Sequence, residues 1–224
     1  MRIITSPDSP MPGTMTTAVT PEIDDGITST DDIDEFLYNH PITLALRNDT
    51  RYTESRPHLQ VSEALRAHNL MTGTLVGAHK ISVAPYVFTE ADGKSMLMLL
   101  HLGDQTCGHP GIIHGGLLAT LLDEGLARCC FGALPSKVGV TANLQINYRQ
   151  PAPANSYFVL RAETSRLEGR KAWVDGRIET LEVDGESRVI VEANALFIEP
   201  RQARVSGTWS PSKCQILGRG TDHL

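Results

Sequence analysis

The spacing of apolar residues changes several times along this chain, and each change predicts an element. Up to residue 28 large apolar groups are sparse among Pro, Thr, Ser and Gly, too few to bury a core, so residues 1–28 are expected to stay disordered. At Thr30 a helical spacing begins. Thr30 with Asp31, Asp32 and Asp34 reads as an N-cap followed by an acidic first turn, and Ile33, Phe36 and Leu37 share one face until Pro41 interrupts. A second helical stretch is expected from about Leu59 to Leu70. Residues 29–73 are thus read as a helical extension covering one edge of a larger domain.

From Thr74 the period shortens to that of strands. The run "ISVAPYVFTE" and, after the turn-forming Asp92-Gly93, "SMLMLLHLG" predict a hairpin. A leucine-rich segment over 114–131 returns to helical spacing: Leu117, Leu118, Leu121, Leu122 and Leu126 spread over a wide apolar face. Ala119, Thr120, Ala127 and Cys130 make a small-residue stripe on another side, and Asp123 falls within it. Beyond Pro135, "VTANLQINY", "SYFVLRAETSRL", "KAWVDGRIETLE" and "SRVIVEANALFIE" read as four strands divided by turn signals. Two strands, a long apolar helix and four strands predict one α+β domain over 74–200, an antiparallel sheet around one helix. An irregular tail with Trp209 is expected over 201–224.

Composition narrows the class. With 41% hydrophobic and 21% charged residues, and no apolar run near the ~18 residues of a membrane span, the chain reads as soluble. A net charge of −6 argues against a general nucleic-acid binder, which needs a basic surface to displace counterions. The four cysteines form no CxxC pair or zinc pattern, no secretory signal is evident, and the acidic start is poor for a mitochondrial presequence. The cytoplasm is the default expectation, with the mitochondrion as alternative. His101, His109 and His114 lack companion ligands at metal spacing, so no metal is expected.

The candidate chemistry centres on His114-Gly115-Gly116 and Asp123. A helix N-terminus presents unpaired N–H groups and a positive dipole end, and Gly115 and Gly116 would let a carbonyl approach the backbone closely, as an oxyanion hole requires. The competing reading gives the glycines a role in chain geometry alone, makes His114 a satisfied structural residue and leaves Asp123 a partly exposed helix residue. Eight residues at ~1.5 Å rise put Asp123 about 12 Å from Gly115, so one carbonyl cannot touch both within one helix. If both act, the aspartate comes from a second, antiparallel copy, which predicts an isologous dimer. In "TANLQINY" strict alternation puts Thr141, Asn143, Gln145 and Asn147 on one polar face; Thr141 could position water near a carboxylate, and Asn143 is grouped with Gly115 and Gly116 as substrate-binding. A local basic surplus from Arg149 to Arg177, including Arg170 and Lys171, suits either a phosphorylated carrier or a solvated sheet edge.

These residues carry a resemblance. An HGG turn opening a central helix, with an acidic residue nine positions after the histidine, resembles the hot-dog fold acyl-CoA thioesterases of the PaaI-like kind. "HGGLLATLLDE", "TANLQINYRQPAP" and "EGRKAWV" look most like the branch containing the mammalian carboxyl-terminal modulator protein. The resemblance covers roughly residues 75–200. It implies that the Gly115 N–H polarises a thioester carbonyl, that His114 supports the turn, and that Asp123 of a partner subunit acts as general base or nucleophile, assisted by Thr141. It further implies an acyl-CoA substrate in fatty acid metabolism, coenzyme A only as part of substrate or product with no other cofactor, and a homodimer or homotetramer. Arg170, Lys171 and Arg149 are candidate CoA contacts. Another branch carries an asparagine six positions before the HGG histidine; Gly108 stands there instead.

Two alternatives remain open. Asp104 and His109 match the D-x4-H spacing of hot-dog enoyl-thioester hydratases, without the accompanying Asn-Pro. A non-catalytic acyl-thioester-binding module is the other.

Overall fold

The computed structural model describes residues 29–182 and 186–201. The disorder expected for residues 1–28 and nearly all of the expected tail, Trp209 included, lie outside the described residues. In chain order the elements are α1 (Thr30–Asn39), α2 (Pro41–Asn48), β1 (Tyr52–Ser55), α3 (Glu63–Arg66), β2 (Tyr86–Glu90), β3 (Ser95–Leu102), β4 (Cys107–His109), β5 (Ile112–Ile113), α4 (Gly115–Phe131), β6 (Val140–Tyr148), β7 (Ser156–Glu168), β8 (Lys171–Thr180) and β9 (Val189–Ile198).

Seven strands form one antiparallel sheet in the order β1-β2-β3-β7-β8-β9-β6, and β4 and β5 make a separate small hairpin. The long helix α4 packs chiefly on β7 and β8, with β3, β6 and β9 around it. This is the hot-dog fold, α+β, with the sheet wrapped around one central helix. Strand β3 explains how the sheet is filled. Met96, Met98, Leu100 and Leu102 join the inner core beneath α4, whereas Leu97 and Leu99 join a second cluster on the opposite face. A strand buried on both faces reads as a continuous apolar run rather than an alternation. The second cluster is closed by Ile33 and Leu37 of α1, with Phe36 stacked on Tyr157 at 4.0 Å between ring centroids.

The N-terminal region departs from expectation in three places. The α1 cap is Ser29, whose side chain and that of Asp32 form a reciprocal capping box. Pro41 does more than stop α1: it occupies the first turn of α2, where its missing N–H costs nothing, and the His40 ring caps that helix by accepting from the Ile42 N–H at 3.2 Å. The single helix expected over 59–70 does not form. In its place are a 3-10 turn (Pro57–Gln60), the four-residue α3 and a π-helical turn (Leu70–Thr74). Leu59 and Leu70 are more than half exposed, so the stretch has no continuous apolar face to bury as one helix.

The sequence pattern also omitted β1, whose residues Tyr-Thr-Glu-Ser show no apolar alternation; it is recruited by pairing with β2, and the sheet therefore begins before residue 74. β2 starts only at Tyr86, because Pro85 has no N–H to donate to a ladder. Among the described residues no helix is long and apolar enough to cross a membrane.

Candidate active site

The turn that opens α4 is built around the His114 ring. His114 is the N-cap, and its Nδ1 accepts a 2.8 Å hydrogen bond from the Gly116 N–H. The ring folds so closely over Gly116 that a Cβ there would lie 2.9 Å from Nδ1, and a Cβ on Gly108 would lie 3.0 Å from the ring's far side. Both positions require glycine for that close approach. Gly116 therefore spends its N–H on the cap, and its lack of a side chain makes room for the His114 ring. Gly115 is different. As the first helical residue its N–H has no intrahelical acceptor, and no bond from it to another described residue is formed. The Tyr148 ring lies against Gly115, and its hydroxyl donates to the Gly115 carbonyl oxygen at 2.8 Å.

Two turns further along α4, Thr141 Oγ1 donates to Asp123 Oδ1 at 2.7 Å. Strict alternation along β6 would not produce this bond together with the observed register. Thr141 pairs opposite Phe197, an inner-core residue, whereas Asn143 pairs opposite Leu196 and Gln145 opposite Asn194, with a register shift between Thr141 and Asn143. The bulge turns Thr141 onto the inner face towards α4 while its polar companions face outwards. Asn143 accordingly lines an outer groove with Gln145, Ser165 and Trp173. The bulge therefore puts Asn143 on the opposite face of β6 from Thr141.

The basic residues do not form one patch. Arg149 follows one end of β6 and pairs with Glu192 at 2.7 Å, while Arg170 and Lys171 stand in register with the other end of β6, about nine residues or ~30 Å away. Arg170 Nη1 donates to the Glu199 carbonyl oxygen at 2.7 Å, tying a hairpin to the end of β9. Arg161 and Arg177 both pair with Glu179, and Arg166 pairs with Glu168. Of the candidate CoA contacts, Arg170 and Lys171 lie at the Asp123 end of the sheet and Arg149 at the Gly115 end. The D-x4-H pair does not form: Asp104 Oδ1 meets His79 Nδ1 at 3.2 Å. Cys130 is fully buried and is not part of the half-exposed stripe, which runs through Ala119, Thr120, Asp123 and Ala127.

Three features had no signal in the sequence pattern. Tyr148, at the end of β6, reaches Gly115 across 33 residues of chain. Beside Asp123, Glu124 Oε1 meets both the buried His58 Nε2 at 3.1 Å and Arg128 Nη2 at 3.2 Å. Burial pushes the Glu124 carboxyl upwards, but His58 and Arg128 outweigh it and hold the group below the usual range. Finally, Leu70, Leu75, Gln105, Thr106, Cys107, His114, Gly116, Leu117 and Thr120 line a cavity of about 310 Å³ next to the helix N-terminus.

Comparison with known proteins bears on the same elements. A family model described as the thioesterase superfamily matches residues 110–186, from the turn before α4 into the β8–β9 connection. An uncharacterized protein of Schizosaccharomyces pombe is 35% identical over 56% of this chain and 72% of its own length. An uncharacterized protein of Candida albicans described as mitochondrial is 37% identical over 58% of this chain and 59% of its own. The bovine acyl-coenzyme A thioesterase THEM4 is 34% identical over 50% of this chain. The chain spans 44% of that bovine relative and somewhat over half of the Candida protein. The part of the chain that holds the HGG-opened central helix, residues 110–186, belongs to the thioesterase superfamily.

Proposed function

We propose that the protein is an acyl-CoA thioesterase working as an antiparallel dimer. The reading rests above all on the Thr141–Asp123 hydrogen bond: a bulge turns one hydroxyl inward onto a helix carboxylate, which otherwise has no structural need of it. The unpaired Gly115 N–H, at the positive end of α4, supplies the complementary half. About 12 Å of helix separates the two, so each site takes Gly115 from one copy and Asp123 from the other. Arg170 and Lys171, at the Asp123 end of the sheet, would then approach the same site from the partner and meet the phosphates of CoA.

In this mechanism the thioester carbonyl oxygen accepts the Gly115 N–H. Asp123 of the partner subunit takes a proton from water as the water oxygen bonds to the carbonyl carbon, and Thr141 keeps the carboxylate aimed. Collapse of the tetrahedral intermediate breaks the C–S bond, the acid is released, and the proton returns from Asp123 to the departing CoA thiolate. No further cofactor enters. An alternative with Asp123 as nucleophile passes through an anhydride that water then opens. The mitochondrial description of the Candida relative favours that compartment over the cytoplasmic default.

The test is thiol release from acyl-CoA thioesters of two to sixteen carbons, native protein against Asp123→Asn. Release by the native protein, cut by roughly 10³-fold or more in the variant, supports hydrolysis through Asp123. Release at equal rates would remove Asp123 from the chemistry, and silence of the native protein across the series would leave a binding module.

A further inference from the structure

The cavity beside the helix N-terminus is walled on one side by residues of the connection between β1 and β2. Residues 57–76 run as a strap across α4, and several contacts make it stiff. His58, only 5% exposed, ties its start to Glu124 of α4. The Arg66 guanidinium donates to the carbonyl oxygens of Val61, His58 and Leu59. Gly73 sits so near the Arg66 carbonyl that a Cβ would fall 1.9 Å from its oxygen. The Asn69 side chain accepts from the Thr72 N–H, and Lys80 Nζ donates to the Thr74 carbonyl oxygen. Such a segment holds its side chains in fixed positions rather than yielding to whatever enters.

Two leucines of the strap face the cavity. Leu75 is half-buried and packs against the inner core, whereas Leu70 is 54% exposed although it lines the same cavity as His114 and Gly116. With Leu117 across from them they offer an apolar wall beside the place where a thioester carbonyl would sit. The volume of about 310 Å³ lies at the small end of ligand sites.

We propose, resting on the thioesterase reading above, that this strap is the acyl-length gauge of the site: Leu70 and Leu75 with Leu117 hold a medium-chain acyl group of up to roughly ten carbons and stop longer ones. Each additional methylene covered by the wall strengthens binding roughly fourfold, and the gain ends where the cavity ends. The exposed Leu70 is the residue that gains most cover when the chain is in place.

The experiment measures Kd for S-alkyl-CoA thioethers of four, eight, twelve and sixteen carbons on the full chain, beside hydrolysis of the matching thioesters. The native protein is expected to tighten steeply from four to eight carbons and to gain nothing beyond twelve. Leu75→Trp, which fills the cavity, should move the optimum roughly two or more carbons shorter. Leu70→Ala, at an exposed position that will not compromise folding, should flatten the gain per methylene. An unmoved chain-length profile in both variants overturns the gauge, even where hydrolysis is intact. Tight, length-dependent binding without hydrolysis supports the gauge and defeats the thioesterase reading; absence of thioether binding defeats the gauge, and absence of hydrolysis as well defeats both.

Discussion

The two flanks of α4 are finished to different degrees. On the flank facing the sheet, Leu118, Leu122, Leu126 and Cys129 are buried, and contact is so close that a Cβ on Gly125 would lie 2.7 Å from a Leu160 methyl and one on Gly176 would lie 2.8 Å from a Leu126 methyl. On the opposite flank Ala119, Thr120, Asp123 and Ala127 are all half-exposed, and the adjacent strand β6 leaves most of its residues in solvent. One flank is completed by the chain itself. The other ends in short side chains and a carboxylate, with a bare strand edge beside it. The difference separates two parts of a single helix: close burial holds the fold on one flank, and the other leaves the space that the proposed dimer and its chemistry would need.

That contrast can be broken from either side. The largest expected effect comes from closing the open flank: Ala127→Arg places a long charged side chain where the proposed dimer needs close approach. It should give a folded monomer by sedimentation and lose at least two orders of magnitude in thioester hydrolysis, because Gly115 and Asp123 no longer meet. Retention of both dimer and rate would show that the flank is merely solvent-facing. Gly176→Val attacks the closed flank instead. With Leu126 and the Arg161 carbonyl oxygen both within 3 Å of its new Cβ, it should cost roughly 1–3 kcal/mol in denaturant unfolding and leave the proposed dimer's activity per folded molecule nearly intact. A smaller effect, about tenfold in kcat with KM unchanged, is expected for Thr141→Ala, since the Asp123 carboxylate loses the hydroxyl that donates to it while remaining in place.

The smallest prediction concerns the packed interior beyond the helix. His101, buried between Ser82 and Tyr157, has its ring pKa lowered to about 4 by burial. A histidine that resists protonation in the folded chain costs nothing above its ordinary pKa of 6.5 and destabilises the fold as pH falls below it, until the folded form also takes the proton near pH 4. Stability should drop by about 1 kcal/mol between pH 7 and 5.5, and His101→Gln should remove that slope. An unchanged slope in the variant would assign the acid sensitivity to other groups.

Much of this molecule was legible in its residues. The four strands after Pro135 and the helix over 114–131 carry long, strong periodicities, and the structure has them within a few residues of where the pattern put them. The N-terminal region departs from the expected helix for a definite reason: residues 59–70 are held by the Arg66 and His58 side chains on backbone and helix rather than by an apolar stripe. The site shows the same split. His114, Gly115, Asp123 and Thr141, the residues of the proposed site, stand out in the sequence because each belongs to a short motif. That Thr141 and Asn143 fall on opposite faces of β6, and that the Gly116 N–H is taken up by the His114 ring, are not visible in the spacing of the residues.

The sequence by itself determined the local half of the problem: a glycine-lined helix start, an aspartate among small residues eight positions on, and strands of the right length to wrap them. Only the tertiary structure decided which groups meet. A bulge at one residue of β6 changes the face of every side chain before it, and the His114 cap consumes one backbone N–H while leaving its neighbour free. Likewise a polar strap, with no periodicity to announce it, comes to wall the cavity. Such outcomes depend on register and on contacts between residues far apart in the chain, and neither is encoded in the spacing of any single segment.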